Sequence, residues 1–447
     1  MKQLKLVILL LITAPAFAQT TIRPDAAIKQ MTDEVSAKNI KAIVRKLVSF
    51  KTRHTLSDTT SKTEGIGAAR NWIKAEYEKY AAASGSRMKV EFDVFTQPKG
   101  NRIDKDTPMK NVLAILKGTD TADKRIYLVS GHYDSRVSDV MDATSAAPGA
   151  VDDASGTALS MELARVMAKH KFPATIIFVA MVGEEQGLYG STNLAKRAKA
   201  EGWDIDAMLN NDIVGNTYGM ETGLKDNRSV RVFSEGVPAA ETERQAAIRN
   251  AVGGENDSPA RELARYIKEV GERYVDQLDV KLIYRRDRYL RGGDHTPFSQ
   301  QGFTAIRVTE MNEDFNRQHQ DIRTGNGVNY GDLPDFADYE YTQKVARMNL
   351  AVLANLALAP AEPQNVGIVT SGLTNKTQLK WQAPKGNAAA GYYVLMRETS
   401  SPVWEKKFYV SGTDATLAYS KDNYLFAVQS VDAQGHESLP VFPKPVR

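Results

Sequence analysis

The chain has 447 residues, no cysteine, and 58 basic against 54 acidic side chains. Disulfides and thiolate metal sites are therefore excluded, and net charge implies neither a nucleic acid nor an anionic lipid partner. The length exceeds what one hydrophobic core usually serves, which predicts more than one domain; any transition metal must be held by His, Asp and Glu, a donor set for zinc, manganese or cobalt.

Residues 1–18 carry Lys2 and Lys5, then apolar Leu6 to Ile12, then Ala16-Phe17-Ala18. This is the layout of a secretory signal and predicts an exported protein, periplasmic or secreted, with a mature chain starting at Gln19. The apolar part is too short to span a bilayer and no later run is long enough, so no membrane span is expected. Residues 19–36 read as a polar, ordered or partly ordered lead-in. Ile40, Ile43, Val44 and Leu47 form a helical stripe over 39–50, and Ala69, Trp72, Ile73 and Tyr77 another over 66–80. Val90, Phe92 and Val94 alternate as one side of a half-buried strand over 88–95, and 111–116 reads as a second strand.

From Lys124 short apolar runs alternate with longer helical ones: strand 126–130, helix 155–170, strand 175–182, helix 191–201, strand 205–209. That alternation predicts an α/β fold with a mostly parallel central sheet and helices on both faces. Ser258-Pro259 opens a helix to about Tyr274, with serine as N-cap and proline in the first turn. Strands at 278–284 and 305–309 and a helix over 341–358 complete the layer, while 219–257 shows no strong period. The expected division is a leader (1–18), a catalytic domain (19–360) and, beyond Pro360-Ala361-Glu362-Pro363, a small all-β sandwich (364–447). The sandwich resembles a fibronectin type III module in Trp381, Gly391-Tyr392-Tyr393-Val394 and Tyr424-Leu425-Phe426-Ala427-Val428. Its partner is unknown, and it is expected to be removable without loss of folding or activity.

Chemistry-bearing residues fall at the ends of these strands. His132-Tyr133-Asp134 follows the first, Glu184-Glu185 the second and Asp212 the third, and Asp152-Asp153-Ala154-Ser155-Gly156 lies between. Ligands of open α/β sheets gather outside the carboxyl ends of strands. Singly, the glutamates read as a solvated pair and the aspartates as a helix start; jointly they predict a centre in which one carboxylate bridges two ions and a spare glutamate stands beside a water.

Together with Gly183-Glu184-Glu185-Gln186-Gly187 and Asn211-Asp212, these blocks resemble the exported di-zinc aminopeptidases, relatives of bacterial leucyl aminopeptidase, glutamate carboxypeptidase and glutaminyl cyclase; the resemblance covers roughly residues 40–358. It implies a zinc exopeptidase fold, two divalent ions, zinc foremost, and peptide substrates. It further implies that Asp152 bridges the ions, that His132 and Asp212 complete one and Glu185 and His319 the other, and that Glu184 is the general base. Asp134 orients His132 from behind, Asp153 follows Asp152 across a cis peptide, and His295 is the competitor to His319. Tyr289 and Arg291 are the substrate-binding candidates, with oxyanion stabilisation left open between them and the Gly292-Gly293 backbone. His54, His170 and His436 lie outside the convergent loops. The expected activity is hydrolysis of the N-terminal peptide bond. Glutaminyl cyclisation, a receptor-like role and carboxypeptidase action, for which Arg285, Arg286, Arg288 and Arg291 would supply cations, are the alternatives.

Overall fold

The computed structural model describes residues 22–386 and 389–447; the expected leader lies outside them. Eight strands build the central sheet: β1 (Met88–Gln97), β2 (Thr107–Leu116), β3 (Arg125–His132), β4 (Thr175–Met181), β5 (Asp204–Asn211), β6 (Ser229–Phe233), β7 (Asp279–Ile283) and β8 (Ala305–Glu310). Their order is β1-β2-β4-β3-β5-β8-β6-β7. The sheet is mixed: β3 runs parallel to β4 and β5, β5 to β8 and β6 to β7, while β1/β2, β2/β4 and β6/β8 are antiparallel.

Alternate residues of each buried strand serve opposite cores. Tyr127 and Val129 of β3 join one cluster and Leu128 the other, and in β4 Ile176 and Phe178 oppose Ile177 and Val179. One face is covered by α1 (Ala26–Asp33), α2 (Ala37–Val48), α3 (Gly65–Ala82), α4 (Ala154–Met167), α8 (Pro259–Tyr274) and α10 (Tyr339–Leu358). The other is covered by α6 (Tyr189–Ala200) and α9 (His295–Gln300) through Leu194, Ala195, Ala198 and Phe298. The four-residue α5 (Glu184–Gly187) and the outlying α7 (Glu243–Val252) complete the α-helices among the described residues. Among the described residues no helix is long and apolar enough to cross a membrane.

Two stretches with little sequence signal gain elements, and one expectation changes. The lead-in contains α1, whose N-cap Asp25 accepts Ala27 N–H and Ile28 N–H while Ile28 and Met31 bury themselves. The aperiodic 219–257 stretch supplies β6 and α7; the latter carries a capping box on Thr242 and Gln245 but buries no residue, so it leaves no apolar period to read. On the edge strand β1, Val94 is exposed, and it is Asp93 that turns inward to accept from Asn111 and Asn193.

C-terminal strands β9 (Gln364–Val369), β10 (Thr377–Gln382), β11 (Gly391–Glu398), β12 (Lys406–Val410), β13 (Asp414–Leu417), β14 (Tyr424–Val431) and β15 (Lys444–Val446) form two sheets, β13-β10-β9-β15 and β12-β11-β14. Between them Trp381 meets Tyr392 edge-on at 5.3 Å. A buried polar seam ties the sandwich to the larger unit. Glu437 is 0% exposed and takes Arg273 at 2.8 and 3.0 Å and Asn355 at 2.9 Å. Arg397 grips Asp257 at 2.7 Å, and Trp404 Nε1 donates to Glu262 at 2.8 Å. Removing the sandwich would strand these buried charges, which argues against the expectation that it can be cut away freely.

Candidate metal centre

His132 ends β3, Asp212 follows β5 and Glu184-Glu185 begins the turn after β4, so parallel neighbours deliver three kinds of candidate donor to the carboxyl ends of their strands. The turn before α4 brings a second aspartate, Asp152. Gly131 and Gly156 allow this approach: a Cβ on Gly131 would lie 2.3 Å from Gly156 C, and one on Gly156 would lie 2.1 Å from Asn211 O. The peptide joining Asp152 to Asp153 is cis. Asp153, fully buried, caps α4 through Gly156 N–H and also accepts His132 N–H at 2.9 Å and Ile213 N–H at 3.2 Å. It thereby fixes the backbone on both sides of the cluster.

Two groups of donors result, His132 with Asp152 and Asp212, and Asp152 with Glu185 and His319, each with one atom per residue within 4.8 Å of the others. Asp152 Oδ1 lies 3.1 Å from His132 Nε2, and Asp152 Oδ2 lies 2.9 Å from His319 Nε2, which in turn is 3.0 Å from Glu185 Oε1. His132 Nε2, His319 Nε2, Glu185 Oε1 and Asp212 Oδ2 are buried yet make no hydrogen bond. Close, buried and off the hydrogen-bonding line, these atoms fit metal ligands better than a hydrogen-bonded network.

The charge balance agrees. Burial disfavours charge on His132, but Asp134, Asp152 and Asp212 outweigh it and hold the imidazole well above its usual pKa. Burial likewise opposes charge on His319, yet Glu185 and Asp152 lift it to about 10. Glu184, its side chain 14% exposed and 4.0 Å from His132 Nε2, is pushed well above the carboxylate range by burial, against the pull of His132 and with Asp212 and Glu185 adding. The protein's own charges thus leave the cluster short of cations.

Asp134 serves the cluster in a way the sequence did not specify. His132 Nδ1 is nearest its main-chain oxygen, at 3.1 Å, with the carboxylate at 3.5 Å. The carboxylate accepts Glu184 N–H at 3.3 Å and Glu185 N–H at 3.2 Å, setting the turn that carries both glutamates. His295 is outside both groups, its Nε2 2.8 Å from Arg286 O. Tyr289 is 75% exposed and Arg291 sits on the same exposed turn; among the described residues no polar contact joins either to the cluster.

Two arginines in the cluster had no place in the sequence reading. Arg307, fully buried on β8, reaches Asp212 Oδ1 at 2.9 Å. Arg136 donates to Glu185 Oε2 at 3.0 Å and meets His319 Nδ1 at 2.7 Å. Arg307 did leave a signal, since a lone arginine inside the apolar run Ala305-Ile306-Arg307-Val308 needs a buried acid for company; Arg136 left none.

Residues 111–354 match the model of peptidase family M28. A probable zinc metalloprotease of Leptosphaeria maculans is 50% identical over 423 residues, which cover 94% of this chain and 98% of that one. One of Pyricularia oryzae is 48% identical over 429 residues, covering 94% and 85%. Among solved structures, the LapA aminopeptidase of Legionella pneumophila superposes with a TM-score of 0.54 at 18% identity, covering 78% of each chain. An aminopeptidase of Aneurinibacillus does so at 0.50 and 15%, covering 73% of this chain and 95% of the other. At those identities the structural likeness is one of fold.

Proposed function

Given that the chain belongs to peptidase family M28, we propose that it is an exported two-zinc aminopeptidase, a hydrolase that releases the N-terminal residue of peptides. The observation that carries this reading is the pair of donor groups sharing Asp152, with their buried donor atoms free of hydrogen bonds. Zinc is supported by the imidazole and carboxylate donors and by the zinc metalloproteases that the chain resembles.

In this reading His132, Asp152 and Asp212 hold one ion, and Asp152, Glu185 and His319 the other. Ions held there supply Lewis acidity, polarising the scissile carbonyl and lowering the pKa of the attacking water. Glu184, adjacent to the donors but not among them, accepts the proton of that water and returns it to the leaving amine. Asp153 and Asp134 hold the backbones of His132, Glu184 and Glu185 in register.

N-terminal polarity rests on charge. Carboxylates crowd the site, so a substrate ammonium finds partners there. Of the four arginines that would favour a C-terminal carboxylate two are engaged with acids: Arg286 with Glu235 at 3.2 Å, and Arg288 with Asp287 at 3.1 Å and Glu313 at 2.8 Å. Export rests on the leader ending Ala16-Phe17-Ala18. A fibronectin type III-like reading of the sandwich is supported by Trp381 packed between its two sheets.

Metal counting on dialysed protein, with peptide hydrolysis before and after chelation, tests the proposal. Two ions per chain, and activity lost with them and restored by zinc, are expected; undiminished hydrolysis by metal-free protein would contradict it. Fractionation of producing cells should place the protein outside the cytoplasm with an N-terminus at Gln19, and protein confined to the cytoplasm with Met1 retained would remove the export reading.

A further inference from the structure

The stretch 148–153 has no regular secondary structure, so its backbone polar groups must be satisfied from elsewhere. On one side stands Arg53, fully buried, whose guanidinium donates to Pro148 O at 2.6 Å, Gly149 O at 2.8 Å and Tyr133 O at 2.7 Å. On the other stands Asp332, 5% exposed. Its carboxylate accepts Val151 N–H at 2.9 Å and Asp152 N–H at 2.8 Å, and its main-chain oxygen accepts Ala150 N–H at 3.1 Å. Successive amides of the loop are thus held by one residue from a distant part of the chain.

The side chain of Asp152 has a separate hold. Gln318 Nε2 donates to Asp152 Oδ2 at 2.9 Å, the same oxygen that lies 2.9 Å from His319 Nε2. Packing does not fix this orientation alone, because Val151, Asp152, Gln318 and Asp332 all line a cavity of about 10 Å³, room for about one water. Where atoms are not fully backed, hydrogen bonds decide which rotamer persists.

We propose that Asp332 and Gln318 are positioning residues of the two-metal site: Asp332 fixes where the Asp152 backbone sits, and Gln318 fixes the oxygen that Asp152 presents to Glu185 and His319. This rests on the reading of Asp152 as the shared ligand. Neither residue is a ligand in that reading, and each acts through Asp152. The two roles are separable. Loss of the Asp332 contacts displaces the whole residue and weakens both ions, whereas loss of the Gln318 contact frees one oxygen and weakens one ion. A role confined to loop stability would lower the melting temperature without any selectivity between ions.

The test is zinc binding to stripped protein in competition with a chromophoric chelator, yielding two dissociation constants, with the melting temperature of each stripped variant alongside. His132→Ala and His319→Ala assign the constants to their donor groups. Partners that orient metal ligands are typically worth 10-fold to 100-fold in affinity. Gln318→Leu should therefore raise the constant of the Glu185 and His319 ion by about 10-fold to 100-fold, leaving the other within about 3-fold, and Asp332→Asn should raise both. Wild-type constants for both ions in folded Gln318→Leu would overturn the proposal, as would equal loss at both. If Asp332→Asn does not fold, Gln318→Leu decides, with Gln318→Met, of similar length and without a donor, as its replicate. Wild-type protein that binds fewer than two ions would instead overturn the metal reading on which the proposal rests.

Discussion

Asp152 Oδ2 and His319 Nε2 stand 2.9 Å apart, yet the imidazole nitrogen makes no hydrogen bond. With Asp152 Oδ1 3.1 Å from His132 Nε2, one carboxylate faces both imidazoles. Asp152→Ala should accordingly lower occupancy of both sites, where His132→Ala or His319→Ala chiefly empties one. Elemental analysis after dialysis checks this, and two retained ions in the Asp152 variant would shift the bridge to another carboxylate.

Glu184 faces the donors without belonging to either group. Glu184→Gln should keep both ions and lose about 100-fold to 10,000-fold in kcat, the usual contribution of a general acid/base group. Near-normal turnover at full metal content would remove Glu184 from the proton path.

Glu437 couples the sandwich to α8 and α10, and its pKa carries a pH signature. Burial would raise it, but Lys407 and Arg273 lower it from 4.5 to about 2. A depressed folded pKa means stability that is complete above the unfolded value and is lost as pH falls through the folded one. Glu437→Gln should destabilise the protein at pH 7 by about 3 to 5 kcal/mol, the cost of breaking a buried ion pair. The gap between variant and wild type should close as pH falls from 4.5 toward 2. Denaturant melts across that window check it; a gap independent of pH would show that the ion pair is not the source.

A chain ending at residue 363 should be less stable than the full chain, because Arg273, Asn355, Asp257 and Glu262 all lose partners. Equal melting temperatures for the two would show that the seam holds nothing the larger unit needs.

The sequence displayed what periodicity and position can display. Strands buried on both faces read as continuous apolar runs, so β3, β4, β5 and β8 were legible, and with them the strand ends that carry His132, Glu184, Glu185 and Asp212. Ser258-Pro259 marked the start of α8 to the residue. Elements without a long apolar pattern stayed hidden: α7 buries nothing, and β6, though Val230 and Val232 are buried, is short and interrupted by Arg231. The partners of the candidate ligands were hidden for another reason. Arg136, Gln318 and Asp332 matter only through contacts between segments far apart in the chain, and no local pattern encodes such a contact. The Glu437 seam is of the same kind, which is why a proline-containing connector suggested a looser join than the structure has.

A two-metal site acting on a free N-terminus must discriminate among one peptide in three forms, free, N-acetylated and C-amidated, each offered to zinc-loaded and to stripped protein. Loaded protein should release the first residue of the free and amidated forms and leave the acetylated form intact, and stripped protein should cleave none. Release of the C-terminal residue from the acetylated peptide, or cleavage by stripped protein, would contradict it.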